Sequence, residues 1–289
     1  MITQTVKVPE QMQPLFERAE AVVSEYFKHR KDDPTKGTVE ISGDRYVMIR
    51  APALAIEFFD LVEGLFGRGR EKEAREFALN LLFDLAHALG KSDARNFQEK
   101  MNLHEPLEKL SAGPIHFSHT GWAFVDIFPE SHPSPDEEYL LIYDHPYSFE
   151  SDAWKRQGRS STFPVCIMNA GYSSGWCEES FGVTLVASEI LCQARGDDCC
   201  RFIMAPPARI EEHINRYMKE RPEMAMRASG YSIPDFFARK RLEEELRRHI
   251  DEIEKLNAFM ADRELRMLEL KREVNALLKN SGKPPRYQV

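Results

Sequence analysis

The chain has 289 residues, 42% hydrophobic and 30% charged, a balance too apolar for a disordered chain and too polar for a membrane protein. Its 39 Lys and Arg against 47 Asp and Glu leave a net charge of −8, which argues against direct nucleic-acid binding, since that needs a basic face. No apolar run approaches the roughly 18 residues that span a bilayer, and residues 1–8 lack the apolar core of an export signal, so a cytoplasmic protein without membrane contact is expected.

Met12, Leu15, Phe16, Ala19, Val22, Val23 and Phe27 recur at spacings of three and four and predict a helix over about 9–30. Residues 38–41 and 46–49 flank Ser42-Gly43-Asp44 and read as a hairpin. Helices follow over 51–67 and 71–89, with Gly67 and Gly90 as their C-terminal stops. Leu61, Leu65 and Phe66 form the apolar face of the first, and Phe77, Leu81, Leu82, Leu85 and Leu89 that of the second. A further helical segment covers 92–111. Residues 122–128 and 139–143 read as strands, and 161–182 as a helix carrying Cys166 and Cys177. Residues 183–192 and 200–204 form a hairpin turned at 195–198. A short helix at 208–220 and a long one over about 235–278 follow. The expected fold is α+β: an antiparallel sheet packed with helices, plus a long C-terminal coiled-coil helix.

The five cysteines, Cys166, Cys177, Cys192, Cys199 and Cys200, fall within 35 residues, and an odd set without an export signal does not read as a disulfide framework. Cys166, Glu189, Cys192 and Cys200 can supply three thiolates and a carboxylate to a tetrahedral Zn²⁺. Four protein ligands leave no open position, so such a site is structural and stabilises the fold. Adjacent Cys199 and Cys200 cannot both face a metal from a strand, and Cys177 lies about three helical turns from Cys166, so Cys177 and Cys199 are set aside. Spacing alone leaves a second reading open, in which the cysteines are small buried hydrophobes.

Gly171-Tyr172-Ser173-Ser174-Gly175-Trp176, followed by Glu189-Ile190-Leu191-Cys192-Gln193-Ala194-Arg195-Gly196-Asp197-Asp198-Cys199-Cys200-Arg201-Phe202, resembles the 4-vinyl-reductase domain. More specifically, it resembles the sensory domain of the phenol- and xylene-responsive sigma-54-dependent activators. Upstream, Gly43-Asp44-Arg45-Tyr46-Val47-Met48-Ile49 and Gly90-Lys91-Ser92-Asp93-Ala94 are similar to the N-terminal half of the same sensors, so the resemblance covers roughly 37–205. In those sensors a Cys, a Glu 23 residues on, a Cys three further and a Cys eight further bind zinc; Cys166, Glu189, Cys192 and Cys200 reproduce both types and spacing.

The resemblance also implies a small aromatic molecule bound beside the zinc. In the phenol sensors a His and a Trp hold the hydroxyl. Counted back from the first Cys, the Trp position falls on His145 and the His position near His116 or Phe117, a departure from the phenol pattern. A pocket of His116, Trp122, Phe124, Tyr143, His145, Tyr147, Tyr172 and Trp176 is expected between the strand at 122–128, the segment at 143–149 and the helix at 163–182. The plainer alternative makes these aromatics core residues and the histidines loop residues. The implied division is 1–36, an N-terminal helix and candidate dimerisation segment; 37–115, the N-terminal half of the sensory domain; 116–207, the zinc and ligand-binding domain; 208–234, a linker; 235–280, a coiled-coil helix; and 281–289, a tail.

In the C-terminal helix, Leu246, Ile253, Leu256, Met260, Met267, Leu270, Val274 and Leu277 share one alternating three-four register, the seam of a coiled coil, interrupted by His249 and Arg263. About 40 residues at 1.5 Å rise make a rod of ~60 Å. A homodimer through Leu246, Ile253, Leu256, Met260 and Met267 is expected, the alternative being a solvated helix folded back on the body. The tail also resembles linkers that precede kinase or cyclase domains, which implies a signalling output protein or domain. The leading reading is a cytoplasmic, zinc-stabilised sensor that binds a small aromatic or similar apolar effector and signals through a dimeric coiled coil. No catalytic residues stand out. The enzymatic alternative, a reductase or accessory protein acting on a tetrapyrrole vinyl group, finds no dinucleotide fingerprint here. A trafficking or assembly subunit is a third reading.

Overall fold

A computed structural model describes residues 5–223 and 235–288, for Asp235 and Phe236 the backbone only. Residues 224–234 of the expected linker lie outside the described residues. The chain separates into two units, Met1–Ala238 and Arg239–Val289.

The first unit is α+β. Its main sheet has five strands: β1 Val6–Lys7, β5 Ala123–Ile127, β6 Leu141–Ser148, β8 Arg201–Ala205 and β7 Val186–Leu191, in that spatial order. All neighbours are antiparallel except β1 with β5, so the expected antiparallel sheet is mixed at one edge. In β5, Ala123, Val125 and Ile127 are buried and Phe124 and Asp126 are half-buried, the alternation of a strand with one face to the core. A second, three-stranded sheet joins β2 Arg30–Asp33, β3 Thr38–Ile41 and β4 Asp44–Tyr46. Strand β2 was not expected, because Arg-Lys-Asp-Asp carries no apolar alternation. The hairpin's second strand ends at Tyr46, and Val47, Met48 and Ile49 are exposed.

The helices are α1 Gln13–Lys28, α2 Phe58–Phe66, α3 Glu71–Lys100, α4 Pro106–His119, α5 Phe149–Arg156, α6 Ile167–Phe181 and α7 Ile210–Glu220. The expected helix at 51–67 opens with a π-helical turn, Ala53–Glu57, and stops at Gly67 (φ +80°) as anticipated. Gly90 is not a stop: α3 runs through it to Lys100, so the segment expected at 92–111 divides between α3 and α4.

The reason lies in how α3 meets α6. A Cβ on Gly90 would stand 2.1 Å from the Tyr172 carbonyl oxygen. One on Gly171 would stand 2.4 Å from the Phe83 oxygen, and one on Gly175 2.1 Å from the His87 oxygen. Three glycines thus let the two backbones touch. The buried face of α3 is correspondingly Ala74, Ala78, Leu82, Phe83, Ala86, Ala94 and Phe97. Phe77, Leu81, Leu85 and Leu89, expected to be buried with Leu82, are exposed, as are Leu61 and Leu65 of α2. Polar contacts close the same seam: His87 Nδ1 lies 3.0 Å from Ser174 Oγ, and Lys91 Nζ donates to Glu178 Oε1 at 2.6 Å.

The second strand expected at 139–143 begins at Leu141 and continues to Ser148. The helix expected from 161 begins only at Ile167, and Cys166 is its N-cap rather than a helical residue.

The second unit consists mainly of α8, Asp235–Asn280, whose last four residues before Arg239 belong to the first unit. Within it Leu246, Ile253, Leu256, Met260 and Met267 are exposed. Among the described residues no helix is long and apolar enough to cross a membrane.

Candidate metal centre and ligand cavity

Four ligand-type side chains converge where α6 begins and the β7–β8 connection turns. Cys166 caps α6, Glu189 lies in β7, and Cys192 and Cys200 flank the loop whose turn is made by Gly196 at φ +97°. One ligand atom from each lies within 4.8 Å of the others, and all four residues are buried. Cys166 Sγ and Cys200 Sγ are 3.7 Å apart. Two thiolates on one tetrahedral Zn²⁺, each at about 2.3 Å, would be about 3.8 Å apart. Glu189 Oε2 accepts the Cys166 N–H at 2.8 Å, while its buried Oε1 has no hydrogen-bond partner.

Outer contacts hold these groups. Asn169 Nδ2 donates to Ser148 Oγ at 2.7 Å, which leaves the Ser148 hydroxyl free to donate to Cys166 Sγ, 3.1 Å away. The Gln193 N–H donates to Cys200 Sγ at 3.4 Å. Burial pushes Glu189 and Cys166 up, and Cys192 up to about 11; hydrogen bonds from Cys166 and Cys192 push Cys200 down. Such a cluster is costly to charge in a dry interior, and a sulfur-accepting divalent cation offsets that cost. The donor set therefore fits Zn²⁺. Cys177 lies apart, in the wall of the cavity described next, and half-buried Cys199 faces Asp144; neither is in the cluster.

The second feature is a cavity of about 30 Å³ between α4, β5, β6 and α6. Leu110, Gly113, Pro114 and Phe117 line it from α4, Val125 and Ile127 from β5, Tyr143 and His145 from β6, and Tyr172, Ser173 and Trp176 from α6. His145 is fully buried and neither ring nitrogen has a hydrogen-bond partner. Burial holds its pKa near 3, so at neutral pH it is an uncharged imidazole offering one donor and one acceptor. Leaving both unpaired costs about 1–3 kcal/mol each. The backbone N–H of His145 donates to the Cys200 carbonyl at 2.8 Å, which ties the cavity wall to the cysteine cluster.

Of the eight residues expected in the pocket, Tyr143, His145, Tyr172 and Trp176 line this cavity. His116 sits one layer behind, its Nδ1 3.3 Å from Tyr172 Oη and its ring 5.1 Å from Trp176. Trp122 lies against the outer side of Phe117 and Tyr172, at ring distances of 5.5 and 4.7 Å. Phe124 and Tyr147 face an outer groove instead, and Tyr147 is 76% exposed.

The cause is a β-bulge. Phe124 pairs with Tyr147 and Asp126 with Asp144, so His145 and Pro146 together oppose Val125. The extra residue turns Tyr147 outward, although strict alternation would group it with Tyr143 and His145. Pro146, which lacks an N–H for the ladder, is the sequence signal that could have revealed it. The α4 wall was missed because the expected helix stopped at 111, short of Gly113, Pro114 and Phe117; of these only Phe117 was considered, as an alternative to His116.

No family model matches the chain. It is 27% identical over 190 residues to the phenol regulator MopR of Acinetobacter guillouiae, covering 64% of this chain and 32% of that protein. The chain thus spans about a third of that relative's length. It shares the fold of the phenol-responsive sensory domain of the transcription activator PoxR, solved with phenol: TM-score 0.56, 20% identity, 72% of this chain and 98% of that one. A vinyl-4-reductase family protein from Methanocaldococcus jannaschii aligns over 71% of this chain and 97% of its own at 17% identity, but a TM-score of 0.30 gives it no weight.

Proposed function

We propose that the chain is the effector-binding part of a regulatory protein, and that it takes a small hydroxylated aromatic molecule into the cavity beside His145. The observation that carries this reading is His145 itself: a fully buried imidazole with two unpartnered nitrogens in an otherwise apolar wall. A mostly apolar cavity with one or two orienting polar groups is the usual form of a small-molecule site. The fold shared with PoxR and the sequence similarity to MopR, both phenol-responsive regulators, support the same class of ligand.

A cavity of about 30 Å³ admits a water-sized body, not a ring. Effector entry therefore displaces side chains of α4, β6 or α6, and that displacement is the signal. Only a ligand that favours one of two packings can shift their balance. Cys166, Glu189, Cys192 and Cys200 hold a structural Zn²⁺ that fixes α6 to the β7–β8 hairpin. The tail pairs with a second copy through Leu246, Ile253, Leu256, Met260 and Met267, and carries the signal to an output protein or domain.

Calorimetry with phenol, benzoate and toluene tests the effector reading. Phenol should bind more tightly than toluene, because toluene leaves the imidazole unpaired. Replacing His145 by Ala should weaken phenol binding by about tenfold or more, with zinc content unchanged. Absence of binding across the panel, or equal affinity in the variant, removes this reading.

A further inference from the structure

Strand β6 brings Tyr143 and His145 to the cavity, and Asp144 between them meets Arg201 of β8 instead. Strand β8 repeats the alternation. Phe202 stacks on Tyr143 (5.2 Å, 6°) and contacts the His145 ring (4.5 Å), and Cys200 belongs to the cysteine cluster. Arg201 lies between the two and pairs across the ladder with Asp144. Its Nε and Nη2 donate to the two carboxylate oxygens of Asp144, each at 2.7 Å. Its Nη1 donates to Tyr217 Oη at 3.0 Å, and its guanidinium lies 4.5 Å over the Phe128 ring.

Asp144 and Arg201 are each 8% exposed. A buried ion pair is a poor source of net stability, because desolvation offsets the attraction. What the planar bidentate fork adds is geometry: it fixes β6 against β8 at one register. Its third arm fixes Tyr217, on α7, against the same point. Arg221 in turn lies 4.2 Å over the Tyr217 ring and binds Glu130 at 2.7 Å. Of the pair's four chain neighbours, Tyr143 and His145 line the cavity, Cys200 belongs to the cysteine cluster and Phe202 packs on both cavity rings, and its outer end is α7.

We propose that Arg201 is the positioning residue of the effector cavity and, through Tyr217, the link that passes cavity occupancy to α7. This rests on the effector reading above. A ring that displaces Tyr143 or His145 shifts the strand carrying Asp144, and the two-pronged pair cannot follow without moving Tyr217.

Amide hydrogen exchange over 210–220 in the zinc-loaded full chain tests it, with phenol as the probe. In the unaltered protein, phenol should change exchange in this segment by about tenfold. Tyr217→Phe removes one oxygen and leaves the Asp144–Arg201 pair in place. It should keep zinc, keep phenol affinity within about twofold, and lose the phenol-linked change in 210–220. Arg201→Lys, which keeps the charge but not the fork, should retain zinc and weaken phenol binding, which a brace remote from the cavity would not do. Phenol binding with no change in 210–220, or a change that persists in Tyr217→Phe, overturns the link alone. Absence of phenol binding in calorimetry overturns the effector reading and this inference with it.

Discussion

Cys192 follows β7 and Cys200 precedes β8, so both stand at the same end of the hairpin, and the proposed zinc is what makes their burial beside Cys166 and Glu189 favourable. Cys192→Ala should therefore lose metal, measured by elemental analysis, and most soluble expression, because a structural site is coupled to folding. Cys177→Ala and Cys199→Ala should keep one zinc per chain; loss of metal in either would redraw the ligand set. Glu178 gives a pH prediction. Burial works to raise its carboxyl, but hydrogen bonds from His87 and Lys91 prevail and bring it down to about 2. A carboxylate depressed on folding contributes stability that is present above its unfolded value near 4.5 and lost as pH falls towards 2. The contribution is on the order of 3 kcal/mol. Glu178→Gln should lower the melting temperature at pH 7 and flatten its fall between pH 5 and 2. An unchanged acid limb would show that the α3–α6 seam does not depend on this ion.

At the scale of elements, the hairpin β7–β8 was legible from its apolar run and its turn at Gly196, helix α6 from the glycine that ends it, Gly182, and helix α8 from a three-four apolar register that His249 and Arg263 interrupt without breaking the helix. Gly90 was misread because a glycine that ends a helix and a glycine that admits a second helix look alike along the chain. Only the partner glycines Gly171 and Gly175, about 80 residues away, distinguish them. Gly175→Ala should cost about 1–3 kcal/mol or more in denaturant unfolding, since the added methyl meets a backbone oxygen that cannot move aside. Gly158→Ala serves as the comparison: nothing lies within 4 Å of it, and only its positive φ opposes the change. The convergence of Cys166, Glu189, Cys192 and Cys200 into one buried cluster was legible for a different reason. Residue type and spacing survive whatever the loop between them does. The pocket was half legible: alternation placed Tyr143 and His145 together, and the bulge at Pro146 then sent Tyr147 the other way.

For the whole molecule, the tail and the cavity make separable claims. Ile253→Asp with Leu256→Asp places charges in the proposed seam of α8, and light scattering should then report monomer, with the metal content unchanged. A dimer that survives the change places the interface in the first unit, where Val47, Met48 and Ile49 are also exposed. Neither result bears on the central claim, that the buried imidazole of His145 receives a hydroxylated ring. The most direct test is ¹⁵N NMR of the His145 ring in the zinc-loaded chain. Phenol should shift one ring-nitrogen signal of a neutral imidazole as a hydrogen bond forms, and toluene should not. Phenol that leaves both His145 nitrogen signals where they were contradicts the account.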